Sequence, residues 1–363
     1  MRMLVIGPEG SAGVAVRQPM VNSLRFLGHQ VLAVELPAGV ARARQVVEEV
    51  LERCAPDVVI TVPTVGGLPG SDMRELTAAA GAVAVAVHRG PTCPVMPTDL
   101  DQVGRDLMFY DLVTVPDRAT FERWKAEGTF RLSIMRHAVH VPEFDVITPG
   151  SRQGVVVVGD ADPANVDVVA AMESLGQVTV LGKGWDDLPL AVTALRVDDP
   201  VERAYFLAAA QLVVELPVSL AQQSAVRRHW RELGVSEVVL QAAVVGTPAA
   251  VVDRPGIGEH LRPGRDVVTC ASPADIPSLV PLLLSTPDEL ALIGESAWRT
   301  VTGEHGWVRR WERLLGHWTD PSETDIDEDI RRVSAARRRH GSGPGMYESE
   351  GSVVDPRTPA ILL

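Results

Sequence analysis

Lysine is scarce in this chain: Lys125 and Lys183 are the only two, and the second lies between glycines in VTVLGKGWDD, residues 178–187. An apolar, strand-like run leads into that loop. A cation on a glycine turn at a strand end can hold a phosphate, because the turn's N–H groups and the ammonium face the same anion. A second glycine cluster, GPEGSAG, spaces Gly7, Gly10 and Gly13 as GxxGxxG, with Glu35 closing the following strand. That pairing is one way to bind a dinucleotide, the carboxylate taking a ribose hydroxyl, although Pro8 departs from the usual fingerprint. His88 and Arg89 close the run AVAVAVHRG, a base and a cation at another strand end. Two further histidines, His137 and His140, are spaced to share one helical turn, with no third metal ligand in sight. The DAD at 160–162 has the form of a metal-binding DxD, but its position before a helix favours a capping aspartate.

The elements that must position these residues recur in two halves. MLVIGPEGSAG, a helical stretch and QVLAVELP open the first half; GVVVVGDADPA, NVDVVAAMESLG and QVTVLGKG open the second. PDVVITVP (56–63) corresponds to AQLVVELP (210–217) as third strand. AVAVAV (82–87) matches AAVVD (249–253) as fourth, and DLVTVP (111–116) matches DVVTC (266–270) as fifth. Valine-rich runs without polar alternation fit parallel strands covered on both faces. Strands alternating with helices imply βαβ units. The expected fold is therefore α/β with two Rossmann-like domains. Residues 1–148 form the first and 149–300 the second, joined within the turn-rich stretch 141–154. A docking helix spans 301–318, with Trp307, Trp311, Leu314, Leu315 and Trp318 on one stripe. Residues 319–363 have no periodicity and are expected to be disordered.

Composition narrows the function. At 363 residues, two cores are the default, and 46% apolar residues can fill them. A formal charge of −13 argues against nucleic acid or an anionic membrane as partner. The three cysteines, Cys54, Cys93 and Cys270, form no CxxC pair, which suits reduced thiols. The opening MRMLVIGPEG lacks the apolar core of a signal peptide, and LTAAAGAVAVAV is too short to span a bilayer. A cytoplasmic protein is expected.

Three stretches resemble a known family. VVVGDADPANVDVVAAM is similar to the strand-turn-helix that opens the C-terminal domain of GT-B glycosyltransferases, whose two Rossmann-like domains face each other across a cleft. SEVVLQAAVVGTPAAVVD resembles their nucleotide-sugar signature. VTVLGKGW and EHGWVRRWERLL look most like the CgeB-like, spore-maturation branch of the group 1 enzymes. The resemblance implies transfer of a sugar from a nucleotide diphosphate sugar to an acceptor, without a required metal or cofactor and with retention of configuration. It places the donor at Gly159, Gly182, Lys183, Gly184, Glu237, Gln241, Gly246 and Thr247. The acceptor would lie over Gly10, Ser11 and Arg89, with His88 as a candidate base. Departures accompany it. Asp160 and Ala164 occupy positions where the family carries arginine and lysine, and Gln241 stands for the ribose-binding glutamate, with Glu237 and Glu232 off register. Two rivals follow: a non-catalytic GT-B-like binding protein, and a nucleotide-sugar epimerase or NAD-dependent enzyme using the N-terminal glycine loop.

Overall fold

The computed structural model describes residues 1–63, 67–89, 106–127, 131–148, 150–217, 235–254, 256–319 and 361–362. The chain forms two compact units, Met1–Arg136 with Trp307–Leu363, and His137–Gly306. The division precedes the expected 148/149 join because residues after Arg136 pack with the second unit. Phe144 and Ile147 lie in its core, and the Val139 N–H donates to the His305 carbonyl at 3.1 Å.

The first unit alternates strand and helix: β1 Arg2–Pro8, α1 Ser11–Phe26, β2 Gln30–Leu36, α2 Val40–Cys54, β3 Val58–Thr61, α3 Gly70–Ala79, β4 Val83–Val87, β5 Leu112–Val115, α4 Arg118–Glu127 and β6 Leu132–Ile134. Its strands are parallel, in the order β6-β5-β4-β3-β1-β2. β3, β4 and β5 are buried along their whole length, as valine-rich strands covered on both faces must be. β6 is a sixth strand absent from the sequence-based reading; at three residues it is too short to show a period.

The second unit runs β7 Val155–Val158, α5 Pro163–Met172, β8 Val178–Leu181, β9 Thr193–Leu195, α6 Pro200–Ala209, β10 Leu212–Glu215, α7 Glu237–Val244, β11 Ala249–Val252, β12 Val268–Cys270, α8 Ile276–Leu284 and α9 Pro287–Glu304. All its strands are parallel, in the order β12-β11-β10-β7-β8-β9. Successive side chains of a strand point to opposite faces. The VVVV of β7 thus feeds two cores: Val156 joins one, Val155 and Val157 the other. The pairing of halves needs a correction here. β9, short and half-exposed, is the third strand, so AQLVVELP is the fourth, AAVVD the fifth and DVVTC the sixth.

After α9 the chain re-enters the first unit as α10, Trp307–Thr319. Residues 301–304, expected in this helix, finish α9 instead. Trp307 and Trp311 stack with centroids 5.7 Å apart, both buried. The Trp311 indole donates to Ser23 Oγ of α1 at 3.0 Å, so the tryptophan stripe is a docking face. Of the tail expected to be disordered, only Thr319 and residues 361–362 are described; Ile361 and Leu362 pair with β6 as β13. Among the described residues no single helix is long and apolar enough to cross a membrane.

Arg262 and Asp266 pin the segment before β12. The buried Asp266 carboxylate accepts from Arg262 Nε at 2.7 Å, Arg262 Nη2 at 2.9 Å, the Arg262 backbone N–H at 3.0 Å and Ser296 Oγ at 2.6 Å. Burial acts to raise the Asp266 carboxyl, but these bonds and the guanidinium charge hold it below its ordinary 3.8.

Two stability predictions follow from this packing. Trp311→Ala lowers stability by about 3–5 kcal/mol in denaturant unfolding, whereas truncating the half-exposed Trp298 costs much less. Asp266→Asn destabilises the protein at neutral pH by about 1–3 kcal/mol. Because the folded carboxyl titrates below its unfolded value, its contribution is full above that value and fades as the pH falls through the lowered one. The gap between wild type and variant therefore narrows in acid, measurable by melting at stepped pH.

Candidate functional site

In each sheet the strand order reverses at one point, between β1 and β3 in the first unit and between β7 and β10 in the second. Ligands of open parallel sheets bind outside the carboxyl ends of strands at such points. In the second unit two loops meet there. Gly159 follows β7, and a Cβ on it would stand 2.8 Å from Leu216 Cβ. Gly182 follows β8, and a Cβ there would fall 2.0 Å from the Gly159 carbonyl oxygen, so nothing larger than glycine fits. Gly184 has φ +80°, a left-handed value that glycine adopts without strain.

Four hydrogen bonds lace the loops. The Gly159 N–H donates to Leu181 O at 3.1 Å, the Ala161 N–H to Lys183 O at 2.8 Å, the Lys183 N–H to Asp160 Oδ1 at 2.9 Å, and the Trp185 indole to Gly159 O at 2.8 Å. Trp185 is buried beside the loop. Asp162 caps α5 by accepting from the Asn165 N–H at 2.8 Å. Asn165 Nδ2 then donates to Asp160 O at 2.9 Å and to Pro217 O at 3.0 Å, tying the end of β7 to the end of β10. The N-terminus of α5, with its positive dipole end, opens between these loops. The Lys183 side chain is exposed on the second loop. Asp160 spends one carboxylate oxygen on the neighbouring loop's N–H group.

The helices that follow β9 and β10 bring further charge to the same end of the sheet. Asp199 and Ser236 cap α6 and α7. One turn into each, Arg203 Nε donates to Gln241 Oε1 at 2.9 Å. Burial lowers the Arg203 pKa, against the opposing pull of Glu237, Asp199 and Asp198. Gln241 is buried, so its amide oxygen faces Arg203, and Glu237 lies in the first turn of the same helix. Glu215, ending β10, pairs with Arg254 just past β11 at 2.6 Å, both side chains nearly inaccessible. Arg203 escaped the sequence-based reading; the available signal was the Asp199-Pro200 helix start after a strand end.

Other candidates lie elsewhere. Gly246 and Thr247 follow a helix and precede β11, which puts them at the amino end of the sheet, away from the glycine loops; this corrects their placement with GDADP and GKGW. Gly246 has φ +71°, and its carbonyl accepts from Arg152 Nη1 at 2.6 Å while Val245 O accepts from Nη2 at 3.0 Å. Thr247 Oγ1 donates to Leu207 O at 2.8 Å inside the core. Their role is to end α7.

In the first unit Gly10 has φ +94° and its carbonyl accepts from the Val14 N–H, opening α1 at Ser11. A Cβ on Gly13 would meet Pro8 O at 2.1 Å, while Gly7 lies against Arg17. Arg17 Nη2 donates to Glu35 Oε1 at 2.7 Å, so the carboxylate expected on a ribose is engaged by α1. His88 is buried, its ring centroid 5.0 Å from that of Trp124. Arg89 is buried over Trp307, 4.8 Å from the ring centroid. Among the described residues, His88 is packed against its neighbours.

His137 joins a stack with His260 and His305, at centroid separations of 6.4 and 5.4 Å. Burial lowers the His140 pKa, over the opposing pull of Asp145. Among the described residues no group of three or more His, Cys, Asp or Glu is placed to hold a metal ion. Glu232 lies outside the described residues.

Residues 165–316, from α5 to α10, match the family model described as glycosyl transferase-like. Sucrose-phosphate synthase from Thermosynechococcus elongatus superposes with TM-score 0.63 at 12% identity, covering 93% of this chain and 100% of that one. HepE of Anabaena, solved in complex with UDP, gives 0.58 at 12% over 87% and 99%. A glycosyltransferase from Rickettsia africae gives 0.61 at 11% over 89% and 99%. No match was found among curated proteins. The fold is the two-unit α/β architecture of GT-B glycosyltransferases, and the family model and fold together support a glycosyltransferase.

The close approach of the two loops makes a sharp prediction. Gly182→Ala forces them apart and destabilises the second unit by about 1–3 kcal/mol. Gly303→Ala, within α9 and with open space around it, instead stabilises by up to about 1 kcal/mol. Chemical denaturation of both variants reads the contrast.

Proposed function

We propose that the chain transfers a sugar from a nucleoside diphosphate sugar, bound at the carboxyl end of the second unit's sheet, to an acceptor served by the first unit. The observation that carries this reading is the laced pair of loops at the β7/β10 switch point, with the N-terminus of α5 between them and Lys183 on the rim. A departing diphosphate carries developing negative charge, and fixed N–H groups, a helix N-terminus and cations stabilise it without reorganising. That chemistry needs neither a metal nor a protein nucleophile. Solved HepE complexes with UDP and with UDP-glucose make a uridine nucleotide the first donor to try. Retention of configuration and membership of the CgeB-like branch are implications of the motif resemblance, and a cytoplasmic setting is the expectation drawn from composition. Gly10 and Ser11, at the carboxyl end of β1, with Arg89 are the acceptor-side candidates.

The non-catalytic alternative draws on Asp160 and Ala164, which stand where the family carries cations. Arg203 answers it in part. It brings a guanidinium to the same sheet end from α6, with Gln241, in the place of the ribose-binding glutamate, holding its Nε. The dinucleotide alternative is weakened by the engagement of Glu35 with Arg17.

Calorimetric titration with UDP-, GDP- and dTDP-sugars separates these readings. A donor is expected to bind, with Lys183→Ala and Arg203→Ala each weakening it about tenfold or more. Failure of every donor to bind the folded protein would sink the catalytic reading. Unchanged affinity in both variants would move the donor site elsewhere.

A further inference from the structure

The amino end of the second sheet carries a half-open groove of about 480 Å³. Strand register sets its floor: Val156, Thr179 and Thr193 lie side by side across β7, β8 and β9. Phe206 of α6, half-buried against the core, forms a wall, and the exposed Gln153 and Gln177 add two amides to the lining. The lining holds no lysine, arginine, aspartate or glutamate. Among the described residues, the side chains of Gln153, Gln177, Thr179 and Thr193 have no protein hydrogen-bond partners, which leaves two amides and two hydroxyls for a ligand.

This chemistry selects its occupant. The absence of cations disfavours phosphates and nucleotides. So does the helix geometry, since α5 and α6 turn their negative C-terminal ends toward this side of the sheet. A ligand matching uncharged donors and acceptors beside an aromatic face presents many hydroxyls on one side and C–H groups on another. We infer that the groove is a binding subsite for a neutral saccharide. It is separate from the donor loops: four-residue β7 alone puts about 13 Å between the two ends of the sheet. A glycan held here is anchored away from the reacting bond. The subsite stands whether or not the donor site is active.

Saturation-transfer NMR on the full chain tests it, with maltotriose as the neutral probe and glucose 6-phosphate as the anionic one. Transfer to maltotriose is expected, persisting under excess UDP and exceeding that to glucose 6-phosphate. Gln177→Ala and Thr193→Val, at exposed positions that leave the core intact, are each expected to weaken maltotriose binding about fivefold. Absence of transfer, displacement by UDP, equal or stronger transfer to glucose 6-phosphate, or unchanged binding in both variants would each overturn the inference. A protein that binds maltotriose in this way but no nucleotide sugar would lose the donor reading and keep this one.

Discussion

The second unit depends on an approach between two loops so close that one of them has no room for a Cβ. Gly182 passes over the Gly159 carbonyl, and from that contact the rest of the site follows. The Lys183 N–H reaches Asp160, the Trp185 indole reaches the same Gly159 carbonyl, and Asn165 fastens the assembly to the end of β10. Each of these groups satisfies a backbone partner that would otherwise need water. The result is a hydrogen-bonded rim at the end of β7 and β8 with the lysine side chain exposed on it. Asp160, which stands where the resembling family carries an arginine, is here a strut of the loop. Its charge is offset locally by the dipole end of α5.

Much of this architecture was legible because the relevant strands are valine-rich, largely buried on both faces and closed by glycine or proline. β7, β8 and β10 declare themselves in sequence for that reason. β6 and β9 do not: three residues carry no period, and β9 is half-exposed at the sheet edge. The GTP turn was misplaced for a topological reason. A glycine turn that precedes a strand lies at the amino end, and local composition does not distinguish it from one that follows a strand. Arg203 was invisible because a helical arginine has no motif; only the fold shows that its partner is Gln241. His88 was conspicuous as a histidine at a strand end, and only the fold shows its packing against Trp124.

The two halves share motifs more closely than they share topology. Both begin strand, glycine turn, helix, strand, which produces the similarity in sequence. The first unit places its third strand beside β1; the second inserts β9 at the far edge and places β10 beside β7. Adding β9 at one edge and leaving out a counterpart of β6 at the other turns the first unit's 2-1-3-4-5-6 order into 3-2-1-4-5-6. Both orders preserve a reversal point next to the first strand, where a ligand site can be built.

The first unit is discontinuous, and this has a consequence for the order of events during synthesis. Ser23 and Trp311, bonded through the indole N–H, lie 288 residues apart in sequence. The α1 face that receives Trp311 stays uncovered while residues 137–306 are translated, a delay of roughly 10–30 s at ordinary elongation rates. The intervening unit is contiguous and can fold first as it emerges. The earlier-made unit thus finishes last, with an apolar helix face exposed to chaperones or neighbouring nascent chains until α10 arrives.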